Sequence, residues 1–287
     1  MTRLSLSVFG LPLESYAPIA AQAEQSGYDA VWLADHLVTP VEYASDYPYH
    51  PSGRVGFTSA TPLADVWATL GYLSSSTSRI KLGTGIYILP LRNPFVTARG
   101  AATVQLLSGG RLLFGIGSGW LREEYAVVGE DFDNRGARMD EIAGILRRLW
   151  TGEVTAHNGE HYAFPELQIT PALQPPPPII VGGLTPPALR RAARIGDGWF
   201  GPACPLEEAV AARETIEAER RRLGRDDLPF SYHVRITDPW DAAERSAFAA
   251  AGFEDIIVFP GQLVSDGQRD QAAMVEGVAR LAEVVGG

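Results

Sequence analysis

Three junctions in the chain share one design: "AEQSGYDAVWLA" (23–34), "AARIGDGWFG" (192–201) and "FAAAGFEDIIVF" (248–259). In each, small helix-type residues run to a glycine, Gly27, Gly196 or Gly252, and an apolar strand follows within a few residues. Glycine suits the left-handed conformation that closes a helix, so each junction reads as one helix-to-strand unit. Strands joined through helices run parallel, and a parallel sheet is covered on both faces. The strands here are apolar throughout, as that burial requires.

Further strands are expected at "LSLSVFG" (Leu4 to Gly10), "RIKLGTGIYILP", "RLLFGIGSG", "PPIIVGG" and "PFSYHVRI", which with "DAVWLA", "DGWFG" and "EDIIVFP" make eight. Helices are expected from about Glu14 to Gln25, with Pro62 in a first turn, from Pro94 to Leu107 and from about Arg135 to Trp150. Eight such units in 287 residues favour an α/β fold of the (β/α)8 TIM-barrel type, one domain over residues 1–287. A doubly wound open sheet is the rival. Two interruptions stand out: an extended polar and aromatic loop after the second strand, from Asp35 to about Ala60, and a small β-hairpin insertion before the fifth. The hairpin is "EVTAHNGEHYAFPELQIT" (Glu153 to Thr170), with Asn158-Gly159 expected as a two-residue type I′ turn. Pro175 to Pro178 then give a stiff entry to the fifth strand.

Composition removes several functions. A net charge of −10 argues against nucleic acid or an anionic membrane surface as partner. "RRAAR" and "ERRRLGR" read as solvated helix faces. No apolar run is long enough to span a bilayer and no secretory signal is visible, so a cytoplasmic location is expected. Cys204 is the sole cysteine, which excludes an internal disulfide.

Three motifs invite misreading. His157, Glu160 and His161 spell H-x-x-E-H, but a helix is needed to bring both imidazoles to one metal, and Asn158-Gly159 breaks it, so no metal site is expected. His50 and His233 lack partner spacing and are expected at the surface or in loop packing. Gly117-Ser118-Gly119 lacks the spacing of a hydrolase nucleophile elbow. Gly115 and Gly117 start a dinucleotide fingerprint whose third glycine is replaced by Trp120, and no helix is expected before about Arg135.

In a barrel the active site gathers at the C-terminal ends of the strands. These are Ala34-Asp35-His36, Thr84-Gly85-Ile86, Gly117-Ser118-Gly119-Trp120, Gly182-Gly183 and Gly201-Pro202-Ala203. Glycine recurs at four of the five. Ends without side chains would let something broad and flat lie against the backbone, and the N–H groups of Gly183 to Thr185 at a helix start could hold an anion. A cofactor with a flat ring and a phosphate is therefore expected.

With those residues in place, "AEQSGYDAVWLADH", "TSRIKLGTGIYILPLRNP", "LSGGRLLFGIGSGWLREEY", "RGARMDEIAGILRRLW" and "PPPPIIVGGLTPPALRRAARIGDGW" resemble the bacterial luciferase-like superfamily, most closely its coenzyme F420-dependent oxidoreductases. The resemblance runs from about Val8 to Phe200 and implies hydride transfer between F420 and a small organic substrate. An FMN-dependent monooxygenase using reduced FMN and oxygen is the alternative, and a non-catalytic cofactor-binding barrel a lesser one. It further implies a non-proline cis peptide at Gly85-Ile86 behind the ring, with Asp35 and His36 bordering it. Ser118, Gly119 and Trp120 are implied as contacts after the fourth strand, and Gly182, Gly183, Leu184, Gly201, Pro202 and Ala203 on the phosphate side. Pro202 lacks an N–H, and no lysine lies nearby. His36 is the candidate catalytic residue, since an imidazole exchanges protons near neutral pH; its other reading is a hydrogen bond to cofactor or loop. Sugar-phosphate-oxidising relatives carry an acidic residue where Trp120 stands, so that activity is not expected. The loop "VEYASDYPYHPSGRVGF", with Tyr43, Tyr47, Tyr49 and Phe57, would lie over the site and favour a flat or apolar substrate, or pack in the homodimer that is expected.

Overall fold

The computed structural model describes residues 3–50, 52–236, 242–259 and 271–286. Its strands in chain order are β1 (Arg3–Val8), β2 (Ala30–Leu33), β3 (Lys81–Thr84), β4 (Tyr87–Ile88), β5 (Leu112–Gly117), β6 (Thr155–Asn158), β7 (Ala163–Leu167), β8 (Ile179–Gly182), β9 (Gly198–Gly201), β10 (Ser231–Arg235) and β11 (Asp255–Val258). Its helices are α1 (Tyr16–Gln25), α2 (Val66–Ser76), α3 (Pro94–Leu107), α4 (Arg122–Val128), α5 (Arg135–Leu149), α6 (Pro186–Ile195), α7 (Leu206–Arg222), α8 (Ala242–Ala250) and α9 (Gln271–Gly286). Parallel pairing runs β1–β2–β3–β5–β8–β9–β10–β11 and returns from β11 to β1, so the sheet closes into an eight-stranded barrel. Closure decides against the open sheet.

Alternation along each strand divides the core in two. Val31, Leu33, Phe114, Ile179 and Val181 face the helices, whereas Ala30, Trp32, Leu113, Ile180, Phe200 and Ile257 form a separate cluster inside the barrel. Trp32 is fully buried and fills the middle of that interior. Its size is accommodated by an absent neighbour: a Cβ on Gly83 would lie 2.3 Å from the Trp32 ring. A buried side chain of this kind contributes about 1.5–3 kcal/mol relative to exposure.

Capping residues fix where helices start. The Asp65 side chain accepts the Ala68 N–H at 2.9 Å and opens α2, so Pro62 precedes the helix instead of sitting in its first turn. Asn93 accepts from Phe95 and Val96 ahead of α3, with Pro94 at its first position. Helix α1 starts at Tyr16, after a single 3-10 turn at Leu13–Ser15. Gly27 and Gly252 do adopt positive φ, but Gly196 has φ −82° and ends α6 in extended backbone.

The insertion pairs β6 and β7 antiparallel as expected, yet its turn is wider than two residues. Asn158 pairs with Ala163, and residues 159–162 form the loop, closed by the Gly159 N–H to the Tyr162 carbonyl at 2.9 Å. Asn158 lacks the positive φ that a type I′ turn demands, because Glu141 recruits the loop through the N–H groups of His161 and Tyr162. Pro51, within the long loop, and Pro260, the last residue of the expected eighth strand, lie outside the described residues.

Candidate active site at the C-terminal mouth of the barrel

Asp35 and His36 leave β2 side by side and do different things. Asp35 is 5 % exposed and spends both carboxylate oxygens on Arg92, at 2.5 and 2.7 Å, with the Ile88 N–H donating at 3.0 Å. Burial pushes its carboxyl up, and the guanidinium of Arg92 opposes that. Its role is to clamp the end of β2 to the chain around β4.

His36 turns toward α4. Its Nδ1 lies 2.8 Å from Glu124 Oε2, while Glu124 Oε1 accepts the N–H groups of Leu37 at 2.6 Å and Val38 at 3.2 Å. Glu124 is 0 % exposed. It sits in the first turn of α4, a helix that begins at Arg122, well before the expected Arg135. Trp120 faces the His36 ring edge-on at 6.3 Å, and Phe57 tilts against it at 5.1 Å.

The glycines need a different reading from the one their recurrence suggests. The Gly85-Ile86 peptide is cis, at the expected position. The Ile86 side chain occupies the space that two neighbouring glycines vacate: a Cβ on Gly117 would come 1.9 Å from Ile86 Cδ1, and one on Gly182 would come 2.9 Å from it. Gly115 is likewise closed by the Thr84 carbonyl, 1.9 Å from where its Cβ would stand, and Gly201 by the ring of Trp199. These bare strand ends first serve the protein's own packing.

Gly183, beyond β8, has φ +117° and donates its N–H to the Phe200 carbonyl at 3.2 Å, so that N–H is spent. The next one, on Leu184, faces the hydroxyl oxygen of Tyr49. Ser118 accepts the Tyr125 hydroxyl on its carbonyl at 2.6 Å, and the Gly119 carbonyl receives Arg135 Nε at 3.4 Å. Gly201 and Pro202 are buried and Ala203 half-buried at the end of β9.

The aromatic loop crosses this mouth. Trp120 contacts Tyr43 at 5.6 Å and Tyr47 at 5.2 Å, and Tyr47 contacts Tyr49 at 5.5 Å, so a row of rings leads from His36 to the Gly183–Leu184 turn. Glu123 pins the loop by accepting from Ala44 N, Ser45 N and the Ser45 hydroxyl. Desolvation works against the charged carboxylate, but those donors outweigh it and lower Glu123 to about 2. Burial pushes the phenols of Tyr47 and Tyr49 up, opposed by Arg235 near the first and Arg135 near the second. Positive charge thus reaches the Gly183–Leu184 side of the mouth from arginines, without lysine.

Over residues 6–281 the chain matches the family described as Luciferase-like monooxygenase. The chain belongs to this luciferase-like family. It is 33 % identical over 254 residues to the F420-dependent glucose-6-phosphate dehydrogenase of Kineococcus radiotolerans, covering 83 % of this chain and 70 % of that one. Among solved structures, an F420-dependent secondary alcohol dehydrogenase in complex with an F420-acetone adduct superposes with TM-score 0.78 at 18 % identity, over 99 % of this chain and 98 % of the other. A monooxygenase from Streptomyces bottropensis superposes with TM-score 0.76 at 19 % identity, over the same shares. The two superpositions establish the luciferase-like barrel.

Within this luciferase-like barrel, Glu124, Arg92, Arg135 and Arg235 bear on the site although no motif announces them. Glu124 carried a signal, an acidic residue just after Trp120, but its partner lies 88 positions away. His233 was misplaced: it is 2 % exposed, with Nδ1 2.6 Å from Asp255 and Nε2 2.9 Å from the Ser231 hydroxyl. It points into the barrel because β10 alternates. Ser231, His233 and Asp255 have the connectivity of a hydrolase triad, but the backbone of Gly198 covers the serine: a Cβ there would be 2.4 Å from its hydroxyl. His157 bonds Glu141 at 2.8 Å instead of facing His161 across a metal. Arg220, in the run read as a solvated face, is 4 % exposed and stacks on Phe230. No helix among the described residues is long and apolar enough to cross a membrane.

Proposed function

We propose that this protein binds a deazaflavin of the F420 type at the C-terminal mouth and transfers a hydride between it and a small organic substrate, with His36 exchanging the accompanying proton. The observation that carries this reading is the row of contacts across the mouth: a proton-carrying imidazole at one end and the Leu184 N–H, already facing an oxygen, at the other. The likeness to an F420-dependent dehydrogenase over 83 % of the chain supports it.

The residues present fit such a group. A Cβ on Gly183 would come 2.9 Å from the Tyr49 hydroxyl, so only glycine leaves room there for an oxygen, and Arg135 adds positive charge. Tyr49 must give up the Leu184 N–H for an anionic oxygen to take its place. Ile86, braced by Gly117 and Gly182, would back the ring. When bound, a deazaflavin supplies a carbon that accepts or donates a hydride. His36 would take the hydroxyl proton when an alcohol is oxidised and return it when a carbonyl is reduced. Trp120, walled by Tyr43 and Tyr47, would line the substrate side with flat apolar surface, which disfavours a sugar phosphate.

Fluorescence titration of the purified protein with F420 and with FMN tests this reading. Binding of F420 followed by turnover with secondary alcohols or carbonyls is expected; FMN binding without F420 binding would overturn it in favour of a monooxygenase.

A further inference from the structure

Glu124 is a buried acid that the residues named from sequence do not include. Two backbone N–H groups and a ring nitrogen converge on its two oxygens: Leu37 and Val38 on Oε1, and His36 Nδ1 on Oε2 at 2.8 Å. A carboxylate accepts at every lone pair, so it satisfies all three. As a carboxylate, Glu124 offers Nδ1 only an acceptor, and two lone pairs cannot meet at 2.8 Å. The proton of the neutral ring therefore sits on Nδ1, and Nε2 carries the lone pair. Among the described residues Nε2 has no hydrogen-bond partner, and the ring around it is bounded by Phe57 and Trp120.

We propose that Glu124 is the positioning residue of this site: it locks His36 in the Nδ1–H tautomer and so presents the Nε2 lone pair to the substrate hydroxyl. The proton would move from the substrate hydroxyl to Nε2 as the substrate carbon gives its hydride to the deazaflavin, and the ring, then carrying two N–H groups, would stay paired with the carboxylate. The role in turnover rests on the function proposed above; the tautomer does not. Glu124 reaches back 86 to 88 positions to three successive residues near the start of the loop, so the same carboxylate orients the imidazole and ties down the backbone that carries it.

The test is nitrogen-15 NMR of the full chain labelled at histidine, without cofactor. Wild type should show the Nδ1–H signature for His36, assigned by its loss in His36→Ala. In Glu124→Gln the side-chain oxygen keeps the Leu37 and Val38 N–H groups, so the amide NH2 must face Nδ1 and donate to it. The tautomer should therefore switch to Nε2–H, and kcat for alcohol oxidation should fall roughly a hundredfold or more with KM changed far less. Glu124→Asp keeps the carboxylate and should retain the Nδ1–H form with partial turnover. An Nε2–H signature in wild type overturns the proposal even if neither variant folds, and so does unchanged turnover in a Glu124→Gln protein whose tautomer has switched. The expected tautomers in a protein that binds no F420 would reject the cofactor reading while leaving Glu124 in its role.

Discussion

Arg92 grips Asp35 with both terminal nitrogens, and the side chains are only 12 % and 2 % exposed. Removing one partner of such a pair strands the other charge in the interior, at a cost of about 3–5 kcal/mol. Urea unfolding should show Arg92→Ala losing an amount of that order. Arg92→Lys should lose less, because it keeps a charge but not the planar fork that meets both oxygens. A loss below about 1 kcal/mol for Arg92→Ala would show that the clamp is dispensable.

His36→Ala should separate binding from chemistry. F420 affinity is expected to stay within about tenfold, roughly 1.4 kcal/mol, while turnover falls by roughly a hundredfold or more. Equal losses in both, measured by titration and steady-state kinetics, would assign His36 to binding alone.

Ile86 and Gly117 should prove energetically coupled. The alanine methyl in Gly117→Ala would meet Ile86 Cδ1, at 1.9 Å in the present packing, and the overpacking should cost about 1–3 kcal/mol. Ile86→Val removes that atom. The double variant should therefore be more stable than the sum of the single losses predicts, by at least about 0.5 kcal/mol in a thermodynamic cycle. Simple additivity would place Ile86 elsewhere.

Glu123 gives the loop an acid-sensitive anchor. Its folded value, about 2 against an ordinary 4.5, means that the anchoring contribution is complete above 4.5 and is lost as pH falls from there through about 2. Trp120 emission, read as the difference between the parent and Trp120→Phe, should change over that window as Tyr43 and Tyr47 move away. Glu123→Gln should show no such transition, and at neutral pH its loop should be cut faster by protease between residues 43 and 57.

The buried Ser231–His233–Asp255 network should support the barrel and not the reaction. Ser231→Ala should leave turnover unchanged and cost about 1 kcal/mol, the worth of one hydrogen bond. Asp255→Asn should cost more, since Ser5 and His233 both depend on that carboxylate, at 2.7 and 2.6 Å. Esterase activity abolished by Ser231→Ala would refute this assignment.

Elements set by local chemistry were legible in the sequence. Apolar runs and helix-closing glycines located the barrel strands, and the cis peptide at Gly85-Ile86 stands where the resemblance placed it. What escaped depends on pairs far apart in the chain. The Asp35–Arg92 clamp went unseen because its partners lie 57 positions apart. Glu124 was hidden behind an irregular stretch that proved to be α4. Strand-end glycines were read as room for a ligand, when Ile86 and Trp199 already use much of that room. A missing side chain tells where something else fits, not whether the occupant is foreign.

Trp32, packed edge-on against Phe200 at 5.1 Å and close against Gly85 and Gly115, fills the middle of the barrel interior. On the proposed reading this packed interior is the floor over which the ring would sit. A molecule seated on the floor cannot depart while another lies above it, so the order of arrival is the reverse of the order of exit. On the proposed reading the deazaflavin loads first and leaves last, and an excess of the second reactant should trap it in place.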